Sequence, residues 1–423
     1  MRKLVIFVLI TALVAGAAFA EVNASAWLRG RVNVVAGDSD GRVNEENKWV
    51  ANDLKAGYPG NYHDFRFVAS GENDDGTFGG LVRFRDVGPN VNAFGDSFGW
   101  VWWKPIDFLR IQIGKNAFND FADYEVVRSS SFYGAGNDAG MGVANIFAGV
   151  GASNANLEDA FSFFGQGGAE LSLYPIEGLT LNFGFPYEIS NTNADAIYGN
   201  MMAQAQYKIE DIGRLTVAFH AKNANDTNYT SGNHAVHLGF FLTAVENLQV
   251  NLGLKFMMPY VYEVKDVFET TVNYPFLIAL GAAFDAGDFN FKARCQVSLG
   301  ITTVTTFKAS GVDDVKYYDP TYFYIELLPS YDIGPCRLNL SVGLNITGFD
   351  ADDKIPDPKD PTKEISKDPV IAFGINPYVS KTVGSGNFYA GFKLTTNGQE
   401  IYGEKGDEAK IEWSIPVGMV VSF

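Results

Sequence analysis

The last thirteen residues, Ile411-Glu-Trp-Ser-Ile-Pro-Val-Gly-Met-Val-Val-Ser-Phe423, decide the reading of the whole chain. Ile411, Trp413, Ile415, Val417, Met419, Val421 and Phe423 alternate with Glu412, Ser414, Pro416, Gly418, Val420 and Ser422. A pleated strand sends successive side chains to opposite faces, so this segment has one greasy face and one mostly small or polar face. The question is what covers the greasy face.

Working outward, the same alternation recurs almost without interruption. Leu248, Val250, Leu252, Leu254 and Phe256 oppose Gln249, Asn251, Gly253 and Lys255. The run 289–302 repeats the pattern for fourteen residues, and 336–347, 179–185 and 215–222 follow it. The chain divides into about eighteen strands (sixteen is the tolerable alternative): 24–36, 61–71, 77–86, 93–104, 107–115, 160–174, 179–186, 198–208, 214–222, 234–243, 247–256, 273–284, 288–302, 320–331, 336–347, 369–379, 387–396 and 410–423. Short turns such as 175–178, 244–247 and 332–335 alternate with long polar stretches at 37–60, 116–158, 223–233, 257–271, 303–319, 348–368 and 396–409. An even strand count places both chain ends on the short-turn side.

A sandwich buries its apolar faces against one another. Here nearly every strand is one-sided, and no other element remains to cover so much apolar surface. The expected fold is therefore all-β, a transmembrane antiparallel up-and-down barrel with short periplasmic turns and long extracellular loops. Closure gives every backbone N–H and C=O a partner, which hydrocarbon demands. A closed sheet of this size has a lumen too wide for side chains to fill, so its polar face is expected inside. Trp27, Trp102, Trp103, Phe108, Tyr174, Tyr207, Phe289, Tyr331, Tyr378, Phe388 and Phe423 fall near the short-turn rim, where amphipathic rings favour the headgroup boundary.

The remaining composition agrees. Arg2 and Lys3 precede an apolar run, and Ala18-Phe19-Ala20 supplies small residues at a cleavage site, so residues 1–20 read as a signal peptide and 21–423 as one barrel. The net charge of −17 argues against nucleic acid as a partner. No later run of 18 apolar residues exists, which excludes a helical bundle. Cys295 and Cys336 fall on outward faces of non-adjacent strands, and the four histidines lack ligand spacing; His234 and His237 face opposite ways. No metal, cofactor or catalytic residue is expected. Gly37-Asp-Ser-Asp-Gly41 fits the nucleophile-elbow pattern, but it opens a polar loop and lacks the strand-to-helix turn that the motif requires.

The closing segment resembles the C-terminal strand of bacterial outer-membrane proteins, which ends on an aromatic residue and is read by the barrel assembly machinery. Trp413, Ile415, Val417, Met419, Val421 and Phe423 carry the likeness; Pro416 departs from it by removing one ladder hydrogen bond, so a local bulge or a strand partner bonded elsewhere is expected there. With the leader and the alternating strands, the mature chain resembles an outer-membrane porin of a diderm bacterium. The resemblance implies outer-membrane lipid, the assembly machinery and small hydrophilic solutes or ions as partners, and admits a homotrimer. In trimeric porins the long loop after the fifth strand folds inward, so 116–158 becomes a candidate constriction loop bearing Asp120, Asp123, Glu125 and Arg128; an outward surface loop is the alternative.

On the inward face the alternation places Arg29, Arg31, Arg66, Arg83, Arg85, Arg110, Lys208, Arg214, Lys222, Lys255, Lys292, Arg294, Arg337 and Lys393, against only Asp64, Glu170, Glu326 and Glu412. A basic wall facing an acidic loop would set a transverse field and give a slight anion preference. The expected function is passive diffusion of small hydrophilic solutes through a water-filled, basic-walled lumen. A substrate-selective channel and a surface adhesin or structural protein stay open. Convergent nucleophile and base are lacking, so no enzyme is expected.

Overall fold

In the computed structural model the described residues are 20–38, 62–87, 98–115, 167–186, 201–222, 233–257, 260–264, 268–273, 276–299, 301–307, 315–319, 322–347, 354–357, 360–366, 370–396 and 411–422. The leader apart from Ala20, the segment 116–158 with Asp120, Asp123, Glu125 and Arg128, and Phe423 lie outside them.

The strands run β1 (Ala20–Asp38), β2 (Tyr62–Asn73), β3 (Phe78–Val87), β4 (Phe98–Ile106), β5 (Leu109–Lys115), β6 (Gly167–Ile176), β7 (Leu179–Pro186), β8 (Met202–Ile209), β9 (Gly213–Lys222), β10 (Asn233–Val245) and β11 (Leu248–Met257). They continue as β12 (Tyr260–Val264), β13 (Phe268–Asn273), β14 (Phe276–Ala286), β15 (Phe289–Leu299), β16 (Ile301–Phe307), β17 (Val315–Asp319), β18 (Tyr322–Asp332) and β19 (Arg337–Thr347). The last are β20 (Lys354–Asp357), β21 (Asp360–Ser366), β22 (Val370–Val383), β23 (Gly386–Gly391), β24 (Lys393–Thr396) and β25 (Ile411–Ser422).

Nineteen of these form one sheet. β23 and β24 both pair with β22 on one side and β25 on the other, so they are one strand interrupted at Phe392. Each of the resulting eighteen strands is antiparallel to its sequence neighbour in the sheet, and β25 pairs back onto β1. The sheet is a closed ring with no edge strand, the arrangement that removes unpaired backbone groups.

Pro416 lies opposite Asn33, and the register shifts between Asn33 and Val35. The expected irregularity therefore falls on the partner strand: β1 bulges at Val34, whose side chain is exposed. The short turns all lie on one rim. Gly178 (φ 79), Gly334 (φ 88), Asp211 (φ 58) and Asn247 (φ 62) supply left-handed residues there. In the β2–β3 turn the Thr77 hydroxyl and amide donate to Asp75 Oδ1 at 2.7 and 3.1 Å, holding that carboxyl below the ordinary 3.8.

The long polar stretches are not all loop. β12, β13, β16 and β17 form a separate four-stranded sheet in that order, and β20 pairs with β21. The segments 257–271, 303–319 and 348–368 thus carry strands where the sequence suggests loops. β12 prolongs β11 and β16 prolongs β15, so two hairpins continue beyond the length that about 9–11 residues need to span a bilayer.

Candidate inner face

In a closed ring, side chains on the convex face splay apart and those on the concave face converge. Exposure therefore tells the two faces apart. Along β11, Leu252 and Phe256 are exposed while Asn251, Gly253 and Lys255 are buried. Along β25, Ile415, Val417 and Met419 are 39–40% exposed while Ser414 is 2% exposed, and Pro416 and Gly418 are buried. β22 alternates likewise, with Ile371, Phe373, Ile375 and Val379 out and Asn376 in. The usual globular arrangement is inverted: large apolar groups are on the outside and polar groups are buried.

Some of the buried polar groups hydrogen-bond one another, in two sectors. On β5–β8, Arg110 donates to Gln112, Ser172 Oγ donates to Glu170 Oε1 at 3.0 Å, and Asn182 Nδ2 donates to Gln204 Oε1 at 3.1 Å. On β15–β19, Arg294 Nη2 donates to Gln296 Oε1 at 3.0 Å, while the Tyr324 hydroxyl and Ser341 Oγ donate to the two oxygens of Glu326 at 2.9 and 3.4 Å. Glu170 and Glu326, the wall acids anticipated from the alternation, are both buried. The Arg294 guanidinium also lies 5.7 Å from the centre of the Tyr324 ring.

The anticipated wall cations separate into groups. Lys255 and Arg294 are buried, and Arg66, Arg83, Arg110, Arg214 and Lys393 are half-buried. Lys208 and Lys292 are exposed near the turns. Arg337 sits at the β18–β19 turn, 4.0 Å from Asp332 with both side chains 41% exposed, a rim contact that contributes little. Arg29, Arg31 and Arg85 lie on β1 and β3, and Lys222 ends β9.

Two aromatics read as rim residues turn inward instead. Trp102 stands on the face opposite the exposed Trp103, with Lys104 Nζ at 5.3 Å and Arg110 at 5.4 Å from its ring. Cation–π contact with these two groups, and the space above Gly79, hold it there. Tyr378 packs against the buried Tyr389 and Val420, with the two rings 6.3 Å apart. Trp103, Phe108, Tyr207, Phe289, Tyr331 and Phe388 are exposed on the outside as expected. His237 is buried on the inner face, while His234 tilts against Phe219. Both thiols are free. Among the described residues no group of His, Cys, Asp and Glu is placed to hold a metal ion.

The sequence reading missed Phe241. It lies inward on β10, with Arg214 5.6 Å from its ring, and packs against Ala283 of β14 and Leu328 of β18. An apolar residue at an odd position of an alternating strand was the available signal.

No family model and no curated protein matches the chain. Solved structures do. A mutant of the Rh. blastica porin is similar over 95% of this chain and 100% of its own, at 12% identity and a TM-score of 0.43. A BenF-like porin from Pseudomonas fluorescens Pf-5 is similar over 95% of this chain and 99% of its own, at 12% identity and a TM-score of 0.46. A loop-deletion mutant of OmpT, an outer membrane protein of Vibrio cholerae, covers 96% and 99%, at 10% identity and 0.43.

Proposed function

We propose that the protein is an outer-membrane porin, a channel through which small hydrophilic solutes diffuse passively. The observation that carries this reading is the inverted distribution of side chains on a closed eighteen-strand ring. Exposed Leu252, Leu280, Val417 and Met419 suit hydrocarbon, and a ring of eighteen strands encloses a lumen wide enough for water. Arg66, Arg83, Arg110, Arg214, Lys255, Arg294 and Lys393 make its wall basic, with Glu170 and Glu326 set against them. Such a wall favours small anions slightly over cations. Assembly reads the closing segment Trp413 to Phe423 after export, and 116–158 with Asp120, Asp123, Glu125 and Arg128 narrows the passage.

The test is planar-bilayer conductance of the purified full chain under a KCl gradient. The reading requires ohmic steps with a reversal potential on the anion side. Stable insertion with no conductance would replace it with a surface adhesin or structural barrel.

A further inference from the structure

The inner face is not equally wet all the way round. Serine allows a comparison of like with like, because inward serines stand on several walls of the ring. Ser172 on β6, Ser341 on β19 and Ser414 on β25 are 1%, 0% and 2% exposed. Ser70 on β2 is only half-buried, although it and Ser172 stand at similar distances from their short turns. Valine and arginine repeat the contrast. Val420 on β25 is 6% exposed and Arg294 on β15 is 1% exposed, whereas Val68 and Arg66 on β2 and Arg83 on β3 are half-buried.

Register places these residues inside. Ser70 pairs with Leu81 and Leu81 with Trp100, in phase with Gly79 and the inward Trp102. Leu81, Trp100 and Trp102 are half-buried as well. The strip ends at β5, where Gln112 is 2% exposed. An eighteen-strand ring is too wide for wall side chains alone to cover one another, so a serine at 0% or an arginine at 1% marks a sector filled with protein. Phe241 shows inner side chains meeting there, since it reaches from β10 to Leu328 on β18. The filling belongs to mid-height. Towards the short turns the inward Lys208, Gln249 and Lys292 are exposed, so the mouth is open on those same walls.

We infer that the solute path is one-sided at mid-height: it runs along β2, β3 and β4, and Arg66 and Arg83 are the cations that set its preference for small anions. The inference rests on the channel reading and narrows it. Lys255 and Arg294 carry their charge on walls that water does not reach there, and Arg294 is engaged with Gln296 and the Tyr324 ring. A charge acts on a passing ion across the water between them, so the two half-buried guanidiniums dominate.

The test is cysteine modification of the full chain in planar bilayers, on a background carrying Cys295→Ser and Cys336→Ser. A small anionic methanethiosulfonate brings a negative charge to whichever introduced thiol water reaches. In Ser70→Cys it lowers the single-channel current and cuts the chloride-over-potassium permeability ratio by about threefold, the scale of one unit charge beside a narrow aqueous path. Ser172→Cys and Ser341→Cys keep the current and ratio they had before the reagent. Val68→Cys is the second variant should Ser70→Cys fail to fold. An unaltered current in folded, conducting Ser70→Cys and Val68→Cys overturns the one-sided path. Equal block at Ser341→Cys does so too, since it would mean a central lumen. A parent chain that inserts without conducting sinks the channel reading instead. Labelling followed by mass in micelles then still decides the wall: modification of Ser70→Cys and not of Ser341→Cys upholds it, and equal modification overturns it.

Discussion

Trp102 and Trp103 are adjacent in sequence, yet one is stacked with cations inside the ring and the other is 52% exposed outside it. Alternation assigns each face correctly, but composition near the turns groups both as rim aromatics. Partner choice was the illegible part, because it depends on Gly79 on the neighbouring strand and on Arg110 two strands away from it. The anticipated acids Glu170 and Glu326 were legible as the rare carboxylates among wall cations; their partners Ser172, Tyr324 and Ser341 were not, since ordinary polar residues carry no mark of burial. Three predictions belong at this scale. Gly178→Ala forces a Cβ to 2.8 Å from the Lys208 carbonyl oxygen at φ 79, and should lower folding stability in vesicles by about 1–2 kcal/mol in a urea titration. Arg214→Glu reverses a half-buried wall charge, and the reversal potential should move toward cations; an unchanged potential would take Arg214 off the ion path. Asp75 titrates below its ordinary 3.8, so the turn contact is fully present above that value and is lost as pH falls through the lowered one. A carboxyl NMR midpoint at or above 3.8 would show that Thr77 does not hold it.

Strands were the most legible elements, because a period of two persists through nearly all of them. The bounds of β7 agree with the sequence reading, and those of β19 and β22 agree at their starts within one residue. The strands of the outer sheet were hidden for a physical reason: 303–307 and 315–319 are rich in Thr, Tyr, Asp and Lys, so neither side looks like a core face. Phe392 interrupts one strand after Gly391, where a Cβ would meet the Pro377 carbonyl oxygen at 2.8 Å. The irregularity opposite Pro416 was foreseeable because proline cannot donate to a ladder, though not that β1 would take the bulge. The faces of one element give a direct test. Leu252→Arg, on the outside near the middle of β11, should cost about 2–4 kcal/mol of stability in lipid, measured by refolding into vesicles. Gln249→Arg, inward on the same strand, should cost far less. Equal costs would mean that the outer face does not meet hydrocarbon.

Whole-molecule closure follows from two facts that the sequence carries and one that it does not. One-sided strands need a continuous partner for their apolar face, and an even count returns both chain ends to one rim. The seam register, with β1 against β25 from Trp27–Ser422 to Asp38–Glu412, had no local signature, because it joins residues nearly four hundred positions apart. Everything inferred about the inner face depends on that seam, since an open sheet would have no interior. Leu28 pairs with Val421 across it on the outer side. The decisive measurement is disulfide formation between Leu28→Cys and Val421→Cys, in a chain whose natural thiols are removed by Cys295→Ser and Cys336→Ser. Antiparallel facing positions lie within disulfide reach. Closure predicts nearly complete crosslinking in the folded, membrane-inserted chain and little when Val421→Cys is replaced by Ile411→Cys. Absence of the first crosslink in protein that inserts and folds would contradict the ring.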